Sequence, residues 1–237
     1  MIKIKVRKSF FKRERLDIPS GWEDLTYFQF IQLLECDDEK KAVEILIGKD
    51  INIPENILPY LDFFQEKYDL ESIDQKEYLI IGDEIYQVPK IREESFGKKM
   101  LFKITLENNI DSVVKNLHKL IEIYLPDLNF DLLRNVPFFD VYGIWLNLSN
   151  QYKELIELEE KLLKFTPEPA QVMAGISNFA EFGDFNTIDM IAKDYNYTHE
   201  QVENLEYSLV FIILRKQIVS DNFAKSYRIA SKTFNQE

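Results

Sequence analysis

The sequence predicts an α+β protein that is predominantly helical, with a small antiparallel β-sheet in its N-terminal part followed by a multi-helix region. Gly and Pro together account for only 15 of the 237 residues, whereas Tyr and Phe account for 30, and this balance favours packed helices over a turn-rich all-β fold. Apolar residues make up 46% of the chain and charged residues 30%, as in folded globular proteins and unlike disordered chains. Apolar side chains recur with a period of two near the N-terminus and with the helical period from residue 110 onward.

The first strand pair is predicted at the N-terminus. Residues 2–7 alternate apolar and basic side chains, which is typical of a strand with one buried face. A second short strand is predicted at residues 15–18. It ends at Pro19, because proline cannot donate a hydrogen bond to a strand ladder.

Helices are predicted next, and two of them have recognisable ends. Thr26 is a suitable N-cap for a helix whose apolar residues share one face. A helix over residues 39–47 ends at Gly48, a residue type that favours helix C-termini. A further helix is predicted over residues 60–68.

A second strand pair repeats the order of the first. Residues 78–81 and 85–88 flank a three-residue turn, and Pro89 follows them. A hydroxyl residue and an aromatic residue then open an apolar segment in both copies, as Thr26-Tyr27 and as Ser95-Phe96. This parallel indicates a duplicated strand-Pro-helix unit, with chance similarity of turn chemistry as the alternative.

The rest of the chain is predicted to be helical and is divided by a proline-containing break. Helices are predicted over residues 110–124, 138–148 and 152–165. The sequence Thr166-Pro167-Glu168-Pro169 then interrupts the helical pattern. Three more helices follow, over residues 170–182, 187–195 and 198–219, and Thr198 with Gln201 forms a capping box for the last.

These elements divide the chain into three regions. Residues 1–109 form a mixed β/α domain, residues 110–165 a helical core region, and residues 166–237 a C-terminal helical region.

Charge is distributed unevenly. The chain carries a formal charge of -12, but the first 15 residues are strongly basic and hold a single acid. An acidic body repels phosphate backbones, so nucleic acid is an unlikely partner except through this basic arm. The alternatives for the arm are contact with an acidic partner, docking on the acidic body of the same chain, and a solvated edge strand whose cations prevent edge-to-edge pairing. The basic arm consists of Lys3, Lys5, Arg7, Lys8, Lys12, Arg13 and Arg15.

The sequence contains no recognisable catalytic or metal-binding motif, so we expect no enzymatic activity and no cofactor. His118 and His199 lack a second histidine at metal-ligand spacing, and acids flank Cys36, which disfavours a reactive thiolate. The run from Asp127 to Asp131 resembles the start of a calcium loop, but Leu132 stands where that loop needs glycine. No glycine-rich phosphate loop is present.

The cellular setting follows from two further observations. A single cysteine excludes an internal disulfide framework and favours a reduced, intracellular compartment. No stretch approaches the roughly 20 apolar residues that a membrane helix needs, so we expect no membrane partner.

Two segments carry a resemblance to a known class of protein. Residues 18–31 follow the pattern P-x-x-W-x-x-L-T-x-x-Q-F, and Ser95-Phe96-Gly97 echoes it in the second half. Residues 174–176, 182–192 and 198–211 carry the second part of the resemblance, an array of capped helices. Both segments resemble tail assembly chaperone-type proteins of tailed bacteriophages that infect Bacteroidetes-like hosts.

The resemblance implies a function without catalysis. A tail assembly chaperone coats the tape measure protein, so that it stays soluble in the host bacterial cytoplasm while tail tube subunits polymerise around it. The alternative is a structural component retained in the virion, such as a connector, ring or packaged cargo protein. A nucleic-acid-associated accessory factor that uses the basic arm is a third reading.

A chaperone for a helical client needs exposed apolar side chains, and the aromatic residues near the two motifs are the candidates. The alternative for every one of them is packing in the protein core. The candidate partner-binding residues are Trp22, Tyr27, Phe28, Phe179, Phe182, Phe185, Tyr207 and Phe211.

Overall fold

The computed structural model describes residues 2–9, 12–48, 63 and 69–234, with the backbone alone at residues 2–9, 12–18, 39, 110–111 and 232–234. The helix predicted over residues 60–68 and the side chains of the basic arm lie outside this description. The predicted fold class is confirmed, because the protein is mostly helical and antiparallel strand pairs precede a multi-helix region.

The strands form two separate antiparallel pairs. Strand β1 (Ile2–Ser9) pairs with β2 (Lys12–Ile18), and β3 (Tyr78–Ile81) pairs with β4 (Glu84–Gln87). The turn of the second pair contains Gly82 at a φ of 62°, a left-handed conformation that glycine adopts without steric cost.

Helices fill most of the remaining chain. The α-helices are α1 (Tyr27–Leu34), α2 (Glu39–Ile47), α3 (Phe96–Asn108), α4 (Leu117–Tyr124), α5 (Phe130–Leu133), α6 (Phe138–Leu162), α7 (Pro169–Met173), α8 (Asp184–Tyr195), α9 (His199–Glu203) and α10 (Tyr207–Phe234). Short 3-10 helices cover Trp22–Asp24, Ile91–Glu93, Ile110–Asn116 and Ile176–Phe182. No helix in the described part of the chain combines the length and hydropathy needed to cross a bilayer.

Capping signals predicted two helix starts correctly, whereas the joining or division of helices was predicted wrongly in three places. Thr26 and Thr198 each form the expected capping box. However, the helices predicted over residues 138–148 and 152–165 are one continuous helix, α6. The helix predicted over residues 198–219 is divided into α9 and α10, and the one over residues 170–182 is divided by Gly175 at a φ of 82°.

The chain forms two compact units, each made from two separate stretches. Unit 1 consists of Met1–Val88 and Asn109–Leu148, and unit 2 consists of Pro89–Asn108 and Ser149–Glu237. Each unit thus combines a stretch from before residue 109 with a later one, whereas the regions predicted from the sequence are three consecutive ones.

The two units repeat one arrangement at an offset of 69 residues. In unit 1, an isolated antiparallel bridge joins Thr26 to Pro137, and in unit 2 the same kind of bridge joins Ser95 to Glu206. The amide that follows each bridge donates to a distant carbonyl, Tyr27 to Val136 and Phe96 to Leu205, both at 2.8 Å. In each unit a 3-10 helix precedes the bridge and an α-helix follows it. The first stretch of each unit is thereby anchored to a helix start that lies much later in the chain.

The cores of the two units use the same positions with different chemistry. In unit 1, the rings of Phe30 and Phe138 stack with centroids 3.6 Å apart. At the corresponding positions of unit 2 stand Lys99 and Tyr207, and the Lys99 ammonium lies 5.5 Å from the Tyr207 ring centroid. A cation over an aromatic ring therefore replaces a pair of stacked rings.

The buried cation of unit 2 is fully partnered. Lys99 is only 3% exposed, and its Nζ donates to Glu159 Oε1 at 3.0 Å and lies 3.7 Å from Asp184 Oδ1. The Tyr207 hydroxyl donates to the same Glu159 oxygen at 2.6 Å. Burial and the neighbouring Glu159 carboxylate raise the pKa of the Tyr207 hydroxyl, so it remains a proton donor. This network is a polar part of the core of unit 2.

A close backbone approach holds the segment before β3 against α6. The Lys76 amide donates to the Gly143 carbonyl at 3.0 Å, and Asn147 Nδ2 donates to the Lys76 carbonyl at 2.9 Å. A Cβ at position 143 would lie 2.8 Å from the Asp74 carbonyl oxygen. Glycine is required here because the segment crosses the helix at the helix backbone.

Candidate partner-binding surface

The three candidate residues of unit 1 pack largely within that unit. Tyr27 is completely buried, and Trp22 and Phe28 are half-buried. The Trp22 ring meets the Phe30 ring edge-on at 5.9 Å, and the Arg134 guanidinium lies 4.7 Å from the Phe28 ring centroid. These aromatic side chains contribute to packing around α1.

The Tyr27 hydroxyl is held by polar groups of the residues preceding and starting α4. It lies 3.1 Å from both the Lys115 carbonyl oxygen and His118 Nδ1, and it accepts the His118 amide at 3.3 Å. Burial raises the pKa of Tyr27 to about 12, and burial lowers the pKa of His118 below its usual value. Both groups are therefore neutral near pH 7, as buried hydrogen-bonding partners should be.

Two of the candidate residues of unit 2 also pack inside their unit. Tyr207 is 1% exposed and belongs to the polar network around Lys99. Phe211 is half-buried, with its ring centroid 6.3 Å from that of Tyr207. These two rings lie on the inward face of α10.

The remaining three candidates lie on the surface. Phe179, Phe182 and Phe185 are 62%, 51% and 49% exposed, and Met173 in the preceding helix is 89% exposed. Scattered exposed apolar residues are normal, but five large ones within residues 172–185 are a concentration. We call this surface the aromatic patch, which comprises Val172, Met173, Phe179, Phe182 and Phe185.

Glycines and one hydrogen bond define the backbone of the aromatic patch. Gly175 and Gly183 have φ values of 82° and 46°, and they delimit the 3-10 helix that carries two of the phenylalanines. Asn186 Nδ2 donates to the Phe179 carbonyl at 2.6 Å, which ties this 3-10 helix to α8. Short, separately oriented helical segments thus display the rings without burying them.

The aromatic patch lies in an acidic stretch. Residues 165–189 contain four acids and no basic residue. Asp184 is paired with Lys103 at 3.4 Å, whereas Glu181 is exposed and has no ion-pair partner among the described residues.

A second exposed apolar surface, absent from the sequence-based candidates, runs along α10. At 3.6 residues per turn its members fall within roughly 80° of arc, opposite the buried face that carries Tyr207 and Val210. The sequence signal was available, since α10 has apolar residues on two opposite faces and only one of them can pack on its own unit. We call this surface the α10 stripe, which comprises Leu209, Ile212, Val219, Phe223 and Tyr227.

The charges beside the α10 stripe are basic. Exposed Lys216 lies within its arc and exposed Arg215 lies at its edge, and neither has an ion-pair partner among the described residues. On the other side of the helix, Lys225 Nζ lies 3.7 Å from Glu168 Oε1. Arg215 and Lys216 therefore differ from Lys225, which is paired.

The described residues hold no group of three or more His, Cys, Asp or Glu side chains placed to bind a metal ion.

Comparisons of the chain with protein-family models, with curated proteins and with solved structures found no match.

Proposed function

We propose that this chain is a non-enzymatic phage morphogenesis protein, a tail assembly chaperone that binds the tape measure protein in the host cytoplasm. The sequence resemblance supports this assignment. The observation that carries it is the aromatic patch, where Phe179, Phe182 and Phe185 expose about half or more of their surface.

The patch suits a helical client for a physical reason. An amphipathic helix binds by laying its apolar face on an apolar surface, and aromatic rings offer large contact areas at low conformational cost. The net charge of -12 keeps such a surface in solution while it is empty.

Co-expression with the tape measure protein tests the proposal. We expect the tape measure protein to be largely soluble with the wild-type chain and largely insoluble with F179S/F182S. The matched control is I80S/I85S, because Ile80 and Ile85 are also exposed, at 56% and 68%, but form a cross-strand pair in the β3–β4 hairpin. The control should keep the client soluble.

Two results would contradict the proposal. One is a tape measure protein that stays insoluble whether or not the chain is present. The other is a fixed copy number of this chain in purified virions, measured by mass spectrometry, which would indicate the structural virion component.

A further inference from the structure

Unit 2 carries two exposed apolar surfaces whose unpaired charges have opposite sign, and neither surface covers the other in the folded chain. Of the four acids in residues 165–189, three are paired with lysines, and Glu181 has no ion-pair partner among the described residues, whereas the α10 stripe carries the unpaired cations Arg215 and Lys216. We propose that copies of this chain associate head to tail, with the α10 stripe of one copy packed on the aromatic patch of the next.

The charges on the two surfaces are complementary. Arg215 and Lys216 on α10 would face the stretch that holds Glu181, so that exposed charges without partners in one copy find them in another. Complementary charges of this kind select the partner and speed the encounter, while the apolar contacts supply most of the affinity.

Packing of two α10 stripes on each other is disfavoured by the same charges. In an antiparallel pair centred on the stripe, Lys216 of one helix would lie only about 6 Å along the axis from Lys216 of the other. Arg215 adds a second cation to each helix at the same level. Like charges at the centre of a symmetric interface oppose association, whereas the aromatic patch offers the unpaired acid Glu181.

The orientation of α10 leaves its stripe accessible. Lys225 pairs with Glu168, and Arg228 lines the same hollow beside Phe165, so this side of the helix faces the linker between α6 and α7. The stripe lies on the opposite side, and Phe223 at its centre is 70% exposed.

A head-to-tail contact has a recognisable consequence. Each copy offers one stripe and one patch, so assembly proceeds to a closed ring or to a chain and need not stop at two copies. The average mass of the purified protein should therefore rise with concentration above the 28.2 kDa of a single chain.

Sedimentation equilibrium of the purified full chain at low salt tests the proposal with no client present. The variants R215E/K216E and E181K each place like charges across the contact, and we expect each to raise the dissociation constant about tenfold or more. The matched control is K153E/K161E, which makes the same charge change as R215E/K216E at exposed positions of α6. The control should associate like the wild type.

Mixing E181K with R215E/K216E tests whether the stripe of one copy binds the patch of another. The unmodified stripe of E181K can bind the unmodified patch of R215E/K216E, so the mixture should regain a mass that neither variant reaches alone. The proposal would be overturned if the average mass of the wild type stayed at that of one chain at every concentration. It would also be overturned if E181K associated as strongly as the wild type. Because the client is absent, either outcome leaves the chaperone assignment to its own experiment.

Discussion

At the scale of single residues, Lys99 shows how the cores of the two units differ. The residue at the corresponding position of unit 1 is Phe30, which stacks on Phe138 in an apolar core. In unit 2 the same position holds a charge, and that charge is tolerated because Glu159, Asp184 and the Tyr207 ring surround it. Removing one member of such a network should lower the free energy of unfolding by more than the intact network contributes to it, because the remaining members stay desolvated without their partner.

We expect K99M to lower the free energy of unfolding by about 3 kcal/mol, the lower end for a broken buried pair, because the carboxylates of Glu159 and Asp184 are 21% and 23% exposed. The double variant K99M/E159Q should recover part of this loss, since a neutral amide can still accept the Tyr207 hydroxyl. Urea denaturation followed by circular dichroism measures both.

The control for Lys99 is its neighbour Lys98, which forms a more exposed pair with Glu94 at 2.6 Å. K98M should change the free energy of unfolding by about 1 kcal/mol or less. Equal effects of K98M and K99M would show that the buried network has no special role.

At the scale of secondary-structure elements, α6 is constrained by what crosses it. Alanine normally stabilises a helix relative to glycine by about 1 kcal/mol. At position 143 the added Cβ would lie 2.8 Å from the Asp74 carbonyl oxygen, closer than such atoms approach in proteins.

We therefore expect G143A to lower the free energy of unfolding by about 1–3 kcal/mol, against the helix propensity of alanine. Thermal and urea denaturation show whether G143A is less or more stable than the wild type. Glu157 is an exposed position of the same helix, and E157A should stay within about 0.5 kcal/mol of the wild type. A more stable G143A protein would contradict the close approach of the segment before β3.

Elements were predictable from the sequence where their signals are local. Thr26 and Thr198 identify helix starts because a capping box needs only four consecutive residues. The division between α9 and α10 was not predictable, because it depends on the bridge between Glu206 and Ser95, which lie more than 100 residues apart. The continuity of α6 was missed because the polar residues 149–151 resemble a break.

The candidate surface was predictable only in part for a related reason. Aromatic residues in capped helices have the same pattern whether they pack inward or outward, so Tyr207 and Phe182 could not be distinguished by sequence. The second apolar face of α10 is visible in the sequence, but its exposure depends on which face packs on the unit.

At the scale of the whole molecule, net charge and exposed apolar surface oppose each other. The charge of -12 at pH 7 falls to zero near the sequence isoelectric point of about 4.8. Mutual repulsion between chains is then lost while the aromatic patch and the α10 stripe remain exposed.

We expect light scattering of the purified chain to rise to a maximum near pH 4.8 and to fall again at lower pH, where the chain becomes positive. F179S/F182S should scatter less than the wild type at this pH, whereas I80S/I85S should reduce scattering less. A maximum that is unchanged in F179S/F182S would show that the patch does not contribute to this association.

The interleaving of the two units has a consequence for the order of events during translation. Thr26 emerges from the ribosome long before its bridge partner Pro137, and Ser95 long before Glu206. Neither core can close on the nascent polypeptide until its later stretch has been synthesised, so Tyr27 and Phe30 stay unburied until residues 109–148 emerge. Unit 2 then still needs its own stretch from Ser149 onward, so a premature stop early in residues 109–148 leaves both units unfinished.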